Sequence, residues 1–277
     1  MASPLITADE LAALLQGDNE VLVLDASYVM TDPDAGRGLH EAGHIPGAVF
    51  VDVDQVFSAP VDPTGRGGRH PLPAPDDLQG ALREHGVRSG VPVVVYDQGP
   101  SMGSARAWWV LRDAGLDDVR VLDGGFAAWQ AAGLPTTTEA TEATPGDVMV
   151  RPGSMYTVDA DRIPGHVAEG HRVVDVRTGL RFRGESERID PVAGHIPGSE
   201  NLPAGELQRD GRFLPADELR TLFEGLGEGD VFSCGSGITA ANALLAAEHA
   251  GLTGLGLYPG SWSDWISDPQ RPVATGE

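Results

Sequence analysis

Short runs of branched apolar residues alternate along the whole chain with stretches of helical patterning. Val21 to Leu24 and Val93 to Tyr96 read as buried strands, and the run at Val231 reads as another. Thr7-Ala8-Asp9-Glu10 has the form of a capping box opening a helix through Leu15. Pro75-Asp76-Asp77-Leu78 opens a helix toward His85, and a further helix covers Ala105 to Ala114. Pro215-Ala216-Asp217-Glu218 opens another, and an alanine-rich helix follows Thr239 as far as Ala250. Strands alternating with helices predict an α/β fold with mainly parallel sheets flanked by helices on both faces.

The pattern is written twice. The first half carries Val21-Leu22-Val23-Leu24-Asp25, Gly43-His44-Ile45-Pro46-Gly47, Val93-Val94-Val95-Tyr96-Asp97 and Asp123-Gly124-Gly125-Phe126. The second carries Val173-Val174-Asp175-Val176-Arg177, Gly194-His195-Ile196-Pro197-Gly198, Asp230-Val231-Phe232-Ser233-Cys234 and Pro259-Gly260-Ser261-Trp262 in the same order at nearly the same spacing. Duplication of one domain explains this. The stretch from Thr136 to about Gly153 is rich in Thr, Glu, Pro and Gly and lacks apolar periodicity. The expected division is therefore a first domain over 1–138, a linker over 139–153 and a second domain over 154–277. Gly-His-Ile-Pro-Gly occurs in both halves, so His44 and His195 read as turn-forming structural residues.

Composition narrows the function. The net charge is −22, all 19 basic residues are arginines, and Cys234 is the single cysteine of 277 residues. The acidity argues against nucleic acid and anionic membranes as partners. Any anionic ligand must be held by arginine, histidine or backbone N–H groups. No internal disulfide can form, no apolar run reaches membrane-spanning length, and the N-terminal residues do not read as a secretory signal. A cytoplasmic protein is expected.

Cys234 stands between an apolar run and a helix, in Cys234-Gly235-Ser236-Gly237-Ile238-Thr239. A glycine-containing strand–loop–helix can turn its N–H groups inward as an anion-binding nest, which would favour the nucleophilic thiolate. The alternative is a buried structural cysteine. In the first copy Asp97 takes the place of Cys234.

These motifs, with Tyr258-Pro259-Gly260-Ser261-Trp262 near the end, resemble the two-domain rhodanese superfamily of sulfurtransferases along nearly the whole chain. The Cys-Gly-Ser-Gly-Ile-Thr loop is similar to that of 3-mercaptopyruvate sulfurtransferases, whereas thiosulfate sulfurtransferases carry Arg and Lys there. The resemblance implies two tandem rhodanese-like domains, the second catalytic. It implies a loop of Gly235, Gly237, Ile238 and Thr239 around the sulfur. It also implies substrate arginines at Arg181 and Arg188, with Arg183 as the alternative because Arg188 lies closer along the chain than the family spacing. A relay of Ser236, His70 (in His70-Pro71-Leu72-Pro73) and Asp54 (in Asp52-Val53-Asp54-Gln55) is likewise implied, in the cleft between the copies. No metal or organic cofactor is implied. Cys234 is expected to take sulfur as a persulfide and pass it to a thiol, a thioredoxin-like acceptor or cyanide. The bland reading of Arg181, Arg183 and Arg188 is a solvated polar loop, and that of His70 an exposed loop histidine. Rival functions are a thiosulfate sulfurtransferase, a phosphatase (whose longer loop and closing arginine are absent here) and a non-catalytic binding module or sulfur carrier.

Overall fold

In the computed structural model the described residues are 3–30, 32 and 34–277. They form two compact units. The first contains residues up to Ala59, Pro73–Ser154 and the short segment Asp210–Phe213; the second contains Pro60–Leu72, Met155–Arg209 and Leu214–Glu277.

The first unit is built on a five-stranded sheet, all of whose pairs are parallel. Its strands run in the order Leu5–Ile6, Val119–Leu122, Val93–Tyr96, Leu22–Asp25, Val49–Phe50. Val93–Tyr96 is central and wholly buried, which is why it is an unbroken apolar run rather than an alternating one. The capping box at Thr7 forms as expected: its side chain accepts from the Glu10 amide, and the helix runs Ala8–Gln16. The helix Met102–Asp113 begins three residues earlier than its apolar pattern suggests and is buried along most of its length, including Trp108 and Trp109. A helix apolar on nearly every side belongs in a core.

The second unit repeats the plan with four parallel strands in the order Gly256–Leu257, Val231–Ser233, Val173–Asp175, Glu200–Asn201. Thr157 makes a parallel bridge to Leu257, the remnant of the edge strand Leu5–Ile6 of the first unit. Val231–Ser233 occupies the place of Val93–Tyr96, and the alanine-rich helix Ile238–His249 the place of Met102–Asp113. Both helices have 12 residues. Ile163, Val173, Ile196, Val231, Tyr258, Trp262 and Trp265 pack into the core of this unit.

The division differs from the expected one in two places. Residues 139–153 are no free connector. Gly146, Val148 and Arg151 donate backbone hydrogen bonds to Arg83, Val87 and Ala114 at 2.7–3.2 Å, which makes the stretch a strap on the first unit. Its lack of periodicity reflects backbone rather than side-chain attachment. The segment Pro60–Leu72, sequentially inside the first repeat, packs as part of the second unit. Among the described residues no helix is long and apolar enough to cross a membrane.

Candidate active site

Cys234 ends the central strand of the second unit and is 2% exposed. The loop carbonyls are claimed from one side: Trp262 N–H donates to the Cys234 carbonyl and Ser263 N–H to the Gly235 carbonyl, both at 3.0 Å. With its carbonyls tied back, the loop turns its N–H groups inward. Gly237 N–H points at Cys234 Sγ at 3.1 Å and Ser236 N–H at 3.5 Å. Gly237 is the N-cap of the following helix at φ +83°, a left-handed conformation that glycine adopts without the cost of a Cβ. Ile238 and Thr239 form the first helical turn. The sulfur therefore sits at a helix N-terminus inside a nest of donors, an arrangement that favours negative charge on it.

The first unit shows what this cradle is built for. Asp97, at the equivalent strand end, places its own carboxylate in the equivalent loop. Gly99 and Ser101 N–H donate to Oδ1 at 3.1 and 3.3 Å, and Ser104 N–H and Oγ to Oδ2 at 2.9 and 3.0 Å. Burial nonetheless pushes the Asp97 carboxyl above its usual range, against those hydrogen bonds. One copy holds an internal carboxyl group where the other holds a thiol.

His70 Nδ1 lies 2.8 Å from Ser236 Oγ. The segment carrying His70 is fastened within the second unit. Gly67 N–H donates to Asp264 Oδ1 at 2.9 Å, and Arg69 N–H to Ser263 Oγ at 3.1 Å. Gly68, at φ +76°, lies so close that a Cβ there would stand 2.4 Å from the Gly260 carbonyl oxygen. The glycine-rich stretch reads as a loop in sequence; in the fold it is a close-packed strap. Asp54 belongs to the first unit, in the short helix Val53–Val56, where its N–H donates to Asp52 Oδ1 at 2.9 Å.

The expected arginines separate. Arg181–Phe182 lies in a single helical turn, Gly179–Phe182, capped by Arg183, and is not an extended segment. Arg181 Nε donates to Glu187 and its Nη2 to Asp190, both at 2.9 Å. Arg183 turns elsewhere and pairs with Glu185. Arg188 is exposed and bonds to none of these groups. A residue that sequence reasoning passed over stands in its place: Arg69 pairs with Asp190 from the other side. A Cβ added at Gly235 would lie 2.9 Å from Arg69 Nη2 and 3.6 Å from both terminal nitrogens of Arg181. The only sequence signal for Arg69 was its adjacency to His70.

Glu187 and Asp190 anchor this cluster. Burial pushes both carboxyls up. At Glu187 the hydrogen bonds from Arg181 and from the Ile189 and Asp190 amides prevail, holding it below its usual range; at Asp190 burial prevails over the attraction of Arg69 and Arg181. Arg177 is buried against Asp175 at 2.6 Å and packs over Trp262. His195 acts structurally, stacking on Phe182 at 3.8 Å and donating Nδ1–H to the Phe182 carbonyl, which fixes the turn that presents Arg181. His44 likewise contacts backbone, at the His40 and Glu139 carbonyls.

The rhodanese-like domain model matches residues 7–132 and 160–268. A Pseudomonas aeruginosa protein named probable 3-mercaptopyruvate sulfurtransferase is 45% identical over 284 residues, covering 100% of this chain and 99% of its own. A Mycobacterium tuberculosis protein named putative thiosulfate sulfurtransferase SseB is 43% identical, over 98% of this chain and 97% of its own. The crystal structure of the Escherichia coli 3-mercaptopyruvate sulfurtransferase SseA superposes with a TM-score of 0.81 at 34% identity, covering 94% of this chain and 99% of that one. Both copies and the full length of the fold thus agree: the chain belongs to the rhodanese family and is a sulfurtransferase.

Proposed function

We propose that the protein transfers sulfur from 3-mercaptopyruvate through a Cys234 persulfide, releasing pyruvate. The observation that carries this is the loop itself: it cradles Cys234 Sγ with the N–H groups of Ser236 and Gly237 and has no basic side chain of its own. The Cys234 thiolate attacks the donor sulfur. An S–S bond forms, the C–S bond breaks, and its electron pair leaves on the three-carbon fragment as an enolate. The loop amides stabilise the anionic sulfur before and after transfer, in the manner of an oxyanion hole. Arg181 pairs with the donor carboxylate. Ser236, hydrogen-bonded to His70, moves the proton that converts the enolate to pyruvate.

With one cysteine the persulfide cannot be resolved internally. An external acceptor takes the outer sulfur: a small thiol, a thioredoxin-like dithiol or cyanide. A lone functional thiol suits the reducing cytoplasm. Thiosulfate is the second reading, favoured by the name of the M. tuberculosis relative and by the guanidinium groups beside Gly235.

Steady-state assays with the two donors side by side test this. Mercaptopyruvate is expected to exceed thiosulfate by at least roughly tenfold in kcat/KM, about 1.4 kcal/mol of transition-state preference. A preference for thiosulfate overturns the assignment of the donor. Intact mass after exposure to either donor should show one added sulfur atom; an unmodified protein would indicate a binding module.

A further inference from the structure

One short helix of the second unit works on two sides. Ser261–Trp265 uses its backbone on the cysteine loop, through the Trp262 and Ser263 N–H groups that hold the Cys234 and Gly235 carbonyls. It uses its side chains on the strap that carries His70. Asp264 Oδ1 accepts from Gly67 N–H at 2.9 Å, and Ser263 Oγ accepts from Arg69 N–H at 3.1 Å. Those two N–H groups flank Gly68 and come immediately before His70 in the chain. Asp264 is fixed in turn. The Tyr258 hydroxyl donates to its Oδ2 at 2.7 Å, and burial, with the Asp264 charge, pushes that hydroxyl's pKa up, so it stays a donor. Arg271 and Ser267 hold the Asp264 carbonyl.

The duplicated unit shows which of these contacts the fold itself needs. Its helix Gly125–Ala131 stands at the same place. Gly125 and Ser261 share a left-handed backbone, at φ +55° and +53°. Phe126 N–H holds the Asp97 carbonyl at 2.9 Å, as Trp262 N–H holds that of Cys234 at 3.0 Å. Trp129 and Trp265 each donate Nε1–H to a proline carbonyl at 2.8 Å. The backbone brace on the loop therefore belongs to both copies. The side-chain brace does not, because Ala127 and Ala128 stand where the second unit has Ser263 and Asp264. Asp264 is buried, and a buried carboxylate is costly unless its oxygens find donors. The helix forms without one in the first unit. Only the unit with the cysteine carries it, and there one of its two oxygens is given to the strap.

We propose that Asp264, assisted by Ser263, is the positioning residue of the proton relay, holding the strap so that His70 meets Ser236 beside Cys234. This deepens the reading of His70 and Ser236 as the groups that move the proton, and rests on it. His70 Nδ1 and Ser236 Oγ are 2.8 Å apart, and a shift of about half an ångström already ends a hydrogen bond of that length. Gly67 and Gly68 have no side chains to anchor the strap, so the bonds to Gly67 and Arg69 N–H set the height of the imidazole. The Ser261–Trp265 turn thus fastens nucleophile loop and relay to one rigid piece.

Hydrogen exchange followed by mass spectrometry reads the strap directly. In Asp264→Ala the segment 64–72 should exchange at least fivefold faster than in the wild type, while segment 234–240 stays within twofold. Asp264→Asn keeps an acceptor for Gly67 N–H, and its amide can donate to the Tyr258 oxygen, so it should restore wild-type exchange and at least half of turnover. In Asp264→Ala, kcat with mercaptopyruvate should fall at least tenfold, while the rate of Cys234 alkylation by iodoacetamide stays above half that of the wild type. Asp264→Ala combined with His70→Ala should lie within threefold of the slower single variant, because a positioning residue has little left to position once the histidine is gone. A merely structural Asp264 would slow alkylation together with turnover and add its loss to that of His70→Ala; either result overturns the proposal, as does unchanged exchange of the strap. Should Asp264→Ala fail to fold, Ser263→Ala leaves the carboxylate in place and is read on the same segment and the same rates. A wild type that uses neither donor, with strap exchange responding as stated, sinks the reading of the reaction and keeps the brace; normal donor use with unchanged exchange does the reverse.

Discussion

At the residue scale the chemistry concentrates on Cys234 and on the groups that aim at it. Cys234→Ser should abolish sulfur transfer and leave the fold intact, since the side chains are nearly isosteric and the amides of Ser236 and Gly237 keep an acceptor. Assay and circular dichroism together check this, and more than trace activity would remove the persulfide mechanism. Arg181→Ala should cost about 2–4 kcal/mol in kcat/KM for mercaptopyruvate, the range for truncating one member of a buried charge pair. Arg183→Ala should cost little, because Arg183 pairs with Glu185 at the surface. Ser236→Ala and His70→Ala should each slow mercaptopyruvate turnover more than thiosulfate turnover, because only the former releases an enolate that needs a proton. The double variant should be little worse than either single one, since residues acting as a unit are non-additive. Equal losses with both donors would mean that the pair only shapes the loop.

At the scale of elements, the site is made by three local devices: a loop whose carbonyls are tied to the turn before Trp265, a strap of glycines, and one helical turn braced by His195 on Phe182. The strap explains why glycines cluster before His70. Gly68→Ala meets two penalties, a left-handed backbone costing about 1–2 kcal/mol and a methyl group 2.4 Å from the Gly260 carbonyl oxygen. The strap should lift, taking Arg69 and His70 with it. Activity is expected to fall at least as far as in His70→Ala, while far-ultraviolet circular dichroism stays near that of the wild type; full activity would show that the strap does not position the site. The close approach at Gly235 also changes the outlook for grafting a basic loop. A side chain at 235 displaces Arg69 Nη2, so Gly235→Arg exchanges one guanidinium for another rather than adding one.

At the scale of the whole molecule, duplication has given one unit a reactive sulfur and the other a buried carboxyl group in the same kind of cradle. Asp97→Asn tests the second. It turns an acceptor edge into a donor that opposes the amides of Ser104 or of Gly99 and Ser101, a loss of about 1–3 kcal/mol for a buried unsatisfied group. The pH dependence has a definite sign. Because burial raises the folded-state pKa of Asp97, the native protein binds its proton before the unfolded chain does. This protonation linkage contributes stability that is fully present below the ordinary carboxylate value and is lost as pH rises through the raised one. The amide variant has no such proton, so the gap between wild type and variant should widen as pH falls through that window. Urea unfolding of both proteins across the window measures it, and a gap that narrows would contradict the assignment.

The repeat, the alternation of strands and helices, the capping box at Thr7 and the placing of Cys234 at a strand end were all legible in the chain. They rest on periodicity, on turn chemistry and on the one residue type that can be a thiolate, all of which are local. Two copies of one pattern also provided their own control, separating structural histidines from the site. Tertiary structure decided what depended on distant partners. The strap 60–72 joins the second unit although it lies within the first repeat, because its glycines permit a close backbone approach that no periodicity encodes. Residues 139–153 bind through backbone atoms, which leave no side-chain signature. The second guanidinium over Gly235 comes from Arg69 and not from Arg188: spacing along a chain does not say which of several arginines will find a buried carboxylate to aim it, and here Asp190 chose the one 121 positions away.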